Sequence, residues 1–254
     1  MLKTAMFAAA AMLMFAVQAD AAELKLLVGG AMQEPFREIG AEFQKKTGHT
    51  LRFTVDTTGA LQNKLRSGEK ADLILVSSPG MDALEKENRI APGTRVALGR
   101  AVIGVSVRKG ANVPDLSSVD AFKKALLSAR SVSYVNPKAG GTSGTYMAGL
   151  LQKMGIAEDV NKKVVYGNQG SQVAEAVAKG EAEIGITFTS EMMPNKGVQI
   201  AGLLPEAVQS ATVYAAAIPV GAENADAARA FIEEFRSPAA QAAIKKAGLE
   251  PLAH

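Results

Sequence analysis

Five short stretches concentrate the residues with which this chain could do chemistry: Gly29-Gly30-Ala31, Asp56-Thr57-Thr58-Gly59, Ser77-Ser78-Pro79, Gly140-Gly141-Thr142-Ser143-Gly144 and Asn168-Gln169-Gly170-Ser171. Most join small residues to hydroxyl or amide side chains. A turn of this kind, placed before a helix, offers unpaired backbone N–H groups, and these favour negative charge. Glycine lets a backbone approach a ligand closely, and Ser or Thr adds donors. The same residue types are ordinary helix caps, so a single turn would carry little weight. Five together point to a shared anion cage, with Gly30, Ala31, Thr57, Thr58, Ser77, Ser78, Thr142, Ser143, Gly170 and Ser171 as candidate contacts.

Several other chemistries are excluded by what is missing. There is no Cys, and the two His are His49 and His254, so thiol chemistry, a zinc site and a His-oriented serine nucleophile are all disfavoured. Gly140–Gly144 lacks the Lys of a phosphate-binding loop, and no G-x-G-x-x-G follows a strand. No metal and no cofactor is therefore expected. The net charge is +3, from 28 basic and 25 acidic residues spread along the chain, with no Trp and four Tyr. A nucleic-acid surface would want a basic stripe interleaved with aromatics, so that partner is not expected. A modest positive balance suits an anion.

The elements that must position these turns alternate regularly. Strand-like apolar runs are expected at 24–28, 51–55, 72–76, 101–107, 131–135, 163–166, 184–188 and 212–218. Amphipathic helices are expected at 34–46, 60–67, 79–87, 119–129, 145–154, 171–179, 225–235 and 238–246. This order predicts an α/β fold of parallel strands with crossover helices. In such sheets ligands sit beyond the carboxyl ends of the strands, where the five turns fall.

The amino terminus reads as an export signal. Lys3 precedes an apolar run at 5–17, and Ala19-Asp20-Ala21 supplies a small-x-small cleavage pattern. The run is well short of the ~20 residues a spanning helix needs. Cleavage is expected after Ala21, giving a periplasmic chain with no membrane span.

The order of turns, the Ala71-Asp72-Leu73 step, the Gly180-Glu181-Ala182-Glu183-Ile184-Gly185-Ile186 stretch and Arg236-Ser237-Pro238-Ala239-Ala240 resemble the periplasmic molybdate-binding protein family. That resemblance implies a two-lobed periplasmic binding fold (type II), with two parallel-type sheets joined by two crossover segments. It implies lobes at 22–99 plus 211–254 and at 100–210, after a signal at 1–21. It also implies a monomer holding a small anion and passing it to an inner-membrane ABC permease. The family's contacts carry over to Ala31, Thr58, Ser77, Ser143, Gly170 and Phe188. A Ser is usual where Ala31 stands and a Tyr where Phe188 stands. Each lost charge-assisted hydrogen bond costs about 1.5–3 kcal/mol, so an organic carboxylate is expected in preference to molybdate.

Further segments, among them Asp115–Phe122, Ala139–Gly144, Ser190-Glu191-Met192-Met193-Pro194 and Gly202–Glu206, resemble a divergent branch to which periplasmic aconitate isomerase is linked. Moving a double bond needs a base facing the cleft and donors for the carboxylates. Glu191 and Asp56 are the candidate bases, and Lys138 a candidate partner for a ligand carboxylate.

Overall fold

The structure, a computed structural model, describes residues 21–252, so the signal-like segment up to Asp20, Ala253 and His254 lie outside the described residues. The chain opens with strand β1 (Glu23–Gly29), helix α1 (Gln33–Thr47), β2 (Thr50–Asp56), α2 (Thr58–Arg66), β3 (Leu73–Ser77) and α3 (Ser78–Lys86). The long strand β4 (Val96–Arg108) leads to α4 (Val119–Ser128), β5 (Val132–Val135), α5 (Thr142–Lys153), α6 (Ala157–Asn161) and β6 (Val164–Gly167). Then come α7 (Gly170–Lys179), β7 (Ile184–Phe188), α8 (Thr189–Met192) and β8 (Val198–Leu203). The chain returns through β9 (Ala211–Ala217) and closes with α9 (Ala225–Glu234), α10 (Pro238–Lys246) and β10 (Glu250–Pro251).

The strands run β2-β1-β3-β9-β4-β7-β5-β6, with β8 and β10 added beside β4. Pairing is parallel within β2-β1-β3 and within β6-β5-β7. Strands β4 and β9 instead run antiparallel to their neighbours. The parallel expectation thus holds for each half and is corrected at the connections. A strand that leaves one half for the other enters the ladder against the direction of the strands it meets, and hydrophobic runs alone carry no strand direction.

Strand β4 is the joint. Its first part, from Val96 to Val102, pairs with β9, and Ile103–Arg108 pairs with β7 and β8. Where β9 drops away, the Gln209 side chain takes its place on the ladder, accepting from the Ile103 amide at 3.1 Å and donating to the Ile103 carbonyl at 2.9 Å. Both backbone groups stay satisfied at the transition.

Helix packing anchors each turn. On α1, Phe36, Ile39 and Phe43 recur at helical spacing and are buried, and Gly48 ends the helix at φ 78°. Phe36 packs on Phe235 and Phe231 with ring centroids 4.3 and 5.6 Å apart. Burying such a ring stabilises the fold by about 1.5–3 kcal/mol. Among the described residues no helix is long and apolar enough to cross a membrane.

Candidate functional site

The five turns converge from both halves of the sheet. At the rim, the Thr57 hydroxyl donates to the Ala139 carbonyl at 2.5 Å, and the Gly59 amide donates to the Gly140 carbonyl at 3.0 Å. A Cβ on Gly59 would lie 2.8 Å from the Gly140 Cα, so only glycine permits this approach. Asp56 lies just behind, capping the Thr57 amide at 2.8 Å and facing the Gln169 amide at 3.5 Å. Gly59→Ala should therefore hold the rim apart and weaken ligand binding by about tenfold. Small-angle scattering with saturating ligand would retain the wider radius of gyration if the contact governs closure.

Inside the rim, the hydroxyls form two groups. In the first, Thr58 accepts from the Ser77 amide at 3.2 Å and from the Thr142 hydroxyl at 3.5 Å. A Cβ on Gly80 would fall 2.3 Å from the Thr58 methyl, so glycine at the start of α3 makes room for Thr58. In the second group, Ser143 meets Thr187 at 3.1 Å, and Thr187 donates to Glu191 at 2.6 Å. Since the Thr187 proton goes to the carboxylate, Ser143 must be the donor in the first of these bonds. Thr187 joins this chain from within β7.

Helix ends separate caps from free donors. Thr57 caps α2 through its side chain, accepting from Ala60. Ser77, Gly141 and Gln169 make no such cap bond at α3, α5 and α7. At α7 the Glu191 carboxyl lies close to the Gly170 and Phe188 amides, which favour its ionised form. The fit is close: a Cβ on Gly170 would sit 1.9 Å from Glu191 Oε2, and one on Gly30 would sit 2.8 Å from Oε1. Glu191 keeps some exposure along its length, yet its carboxyl is enclosed by protein, and burial pushes it up to about 7. The Thr187 hydroxyl and the two amides oppose that shift and do not cancel it.

Glu191 also borders a cavity of about 430 Å3 lined by Gly30, Gln33, Gln169, Ser171 and Ser190 among others. Thr58, Ser77, Thr142 and Ser143 lie outside that lining. The cavity reaches Glu191, whereas Thr58, Ser77 and Ser143 are buried apart from it. Ser190 is buried with its hydroxyl unpartnered.

The remaining candidates are placed as follows. Ala31 is buried in the core, and Ser78 is partly exposed at the start of α3. Phe188 keeps its amide close to Glu191 and buries its ring. Lys138 is exposed on the short turn before Gly140. The sequence pattern had not singled out Thr187 or Tyr214. Tyr214 on β9 is 4% exposed, and its hydroxyl lies near those of Thr58 and Thr142. Its phenol is held well above the ordinary tyrosine range by burial and, secondarily, by the Glu191 charge. The signal that would have found both residues is a polar group within an otherwise apolar strand.

Two halves of a curled sheet, joined by β4 and β9 and meeting over a cage of hydroxyls and helix N-termini, make this a two-lobed binding protein of type II architecture. The chain belongs to the family of bacterial extracellular solute-binding proteins, whose model matches residues 24–250. It is 33% identical over 235 residues to an aconitate isomerase from a Pseudomonas species, covering 90% of this chain and 88% of that one. It is 28% identical over 247 residues to a molybdate-binding protein from Azotobacter vinelandii, covering 92% of each. The solved Azotobacter vinelandii periplasmic molybdate-binding protein superposes with a TM-score of 0.71 at 21% identity, covering 89% of this chain and 98% of that chain.

Proposed function

We propose that the cleft between the lobes (22–99 plus 211–254, and 100–210) takes a small polycarboxylate of the aconitate type, and that Glu191 shifts its double bond. The observation that carries this reading is the enclosed Glu191 carboxyl, seated on the α7 N-terminus with its pKa near 7. A fully ionised tetrahedral oxyanion has no proton to offer such a group, and two anions in one dry site repel. A weakly acidic carbon does suit it, because a base titrating near the working pH is well matched to proton transfer.

The step balances without oxidant, reductant or cofactor. The Glu191 carboxylate takes a proton from the methylene carbon, and the electron pair left behind forms the new double bond to the central carbon. The former alkene carbon takes a proton back from the Glu191 carboxylic acid. The double bond has then moved across the central carbon, which interconverts the cis and trans forms. Hydroxyls and helix-end amides from the five turns hold the carboxylates. Asp56 is the alternative base, and Lys138 is a rim cation for an incoming carboxylate.

Incubating the purified protein with either aconitate, then separating the isomers by chromatography, tests this directly. The two should converge on one ratio. Because Glu191 must be ionised to act, kcat/KM should fall as pH drops below about 7 and level off above it. A second reading is favoured by the family and by the molybdate-binding relatives: an exported receptor that closes on the same carboxylate and hands it to an ABC permease. Tight binding with an unchanged isomer ratio would establish that reading instead. Thermal stabilisation by molybdate, with none by the carboxylates, would sink both.

A further inference from the structure

Tyr214 occupies a place in the cleft that the five turns do not explain. It comes from β9, one of the two strands linking the lobes, and pairs with Ser77 of β3 on one side and Gly99 of β4 on the other. Its hydroxyl lies with those of Thr58, at the start of α2, and Thr142, at the start of α5. Three buried or half-buried hydroxyls from three separate elements thus lie near one another where the lobes close.

Each of these hydroxyls has one proton to donate. Thr58 already accepts from the Ser77 amide and from Thr142. Among the described residues, neither Thr58 nor Tyr214 donates to a carbonyl or carboxylate. Hydroxyls that donate only to one another can turn a proton toward an incoming anionic acceptor without breaking a bond to the backbone.

The tyrosine ring is also held rigidly. A Cβ on Gly29 would lie 2.9 Å from its Cε1, so glycine there lets the ring lie against β1. On the other side the Phe188 ring meets it edge-on, with centroids 6.0 Å apart and planes at 83°. Position 188 is where the family resemblance leads one to expect a tyrosine hydroxyl; here the hydroxyl stands across from it, on β9.

We propose that Tyr214 is a ligand-touching donor: its O–H, with Thr142 and Thr58, binds the carboxylate of the substrate farthest from Glu191 and steadies the charge that grows there when Glu191 removes a proton. This rests on the polycarboxylate reading of the cleft and adds its second pole. The electron pair released at the methylene carbon delocalises onto a carboxylate conjugated with the developing double bond. A fixed, neutral donor aimed at that oxygen lowers the barrier without reorganising. Desolvation keeps the phenol protonated, so it remains a donor throughout.

Tyr214→Phe keeps the ring and removes only the oxygen. Two readouts should move: calorimetric binding of propane-1,2,3-tricarboxylate, the saturated analogue, should weaken about tenfold, and kcat for the aconitates should fall by about 10²–10³, the usual effect of removing such a donor. The fall in kcat/KM below pH about 7 should remain, because Glu191 is untouched. Thr142→Ala should shift both readouts in the same direction by less, and serves if Tyr214→Phe folds poorly. A role confined to packing would lower the melting temperature and leave both readouts unchanged; that result would overturn the inference. If the parent protein binds the analogue and does not turn over the aconitates, the isomerase reading fails, and the binding comparison still decides the role of Tyr214. If the parent protein does not bind the analogue, the substrate class and this inference fall together.

Discussion

On the isomerase reading proposed above, Glu191→Gln should abolish turnover, and above neutral pH it should make the protein more stable. The loss of turnover follows from removing the base, and general acid–base catalysis contributes about 10²–10⁴-fold. The gain in stability follows from the same burial. The Glu191 carboxyl titrates near 7 in the fold, against an unperturbed value of 4.5. Its folded pKa is raised, so its stabilising contribution is complete below 4.5 and is lost as pH rises through about 7. Above that window the ionised, enclosed carboxylate costs the fold at most about 3 kcal/mol. Gln is nearly the same size and does not titrate. Melting temperatures of the two proteins should agree near pH 4, diverge as pH rises from about 4.5 to 7 and stay apart toward pH 8, with the variant higher by about 5–10 °C. Other carboxylates titrate too, but they are common to both proteins and cancel in the difference. Parallel melting curves across that range would show that the carboxyl is not enclosed as described.

The second large effect concerns one helix and two glycines. Helix α5 brings Thr142 to Thr58 and Ser143 to Thr187, and it can do so because Gly144 lies directly on β5. A Cβ there would sit 2.1 Å from the Val135 carbonyl oxygen and 2.8 Å from its carbon. Those are backbone atoms of a buried strand and cannot move aside cheaply. Gly144→Ala must therefore lift the start of α5, at a cost of about 3 kcal/mol or more. A displacement near 1 Å at the cage would also cost about 10²-fold in function. Gly149 lies on the same helix, is exposed and has nothing within 4 Å of its would-be Cβ. Gly149→Ala should raise stability by up to about 1 kcal/mol through helix propensity alone. Thermal unfolding of the two variants should thus move in opposite directions. A similar small loss for both would mean that α5 does not press on β5.

Much of this arrangement is legible in the residues, and the limits have physical causes. The turns at Gly29–Ala31, Asp56–Gly59, Ser77–Pro79, Gly140–Gly144 and Asn168–Ser171 can be found because Gly, Ser and Thr break the apolar periodicity on either side. The expected helices lie within a few residues of those observed, as at 34–46 against Gln33–Thr47. Strand β4 is longer than the apolar run at 101–107, because Gly99 and Arg100 interrupt the pattern and yet keep ladder partners on β9. Strand β8 passes unnoticed because it is half exposed and pairs across a register shift at Val105 and Ser106. Tyr214 and Thr187 stay hidden for a different reason. A polar side chain in a buried strand looks like ordinary strand composition until its neighbours across the sheet are known. Glu191 can be named as a base from sequence, but its enclosure by Gly30 and Gly170 depends on three distant turns meeting.

The rim contact between Gly59 and Gly140 has a consequence for timing. It is made by bare backbone, fastened there by two hydrogen bonds, from Thr57 to Ala139 and from Gly59 to Gly140. Hydrogen bonds of this kind contribute about 0.5–1.5 kcal/mol each, net of water. A rim held by contacts of this size should open and reclose readily, so a shut form is expected before any ligand arrives. The ligand then selects that form and extends its lifetime. Departure requires that these bonds and the longer ones from Thr142 to Thr58 and from Gln169 to Asp56 let go, so the pace of release should depend largely on how firmly the ligand itself ties the two sides together.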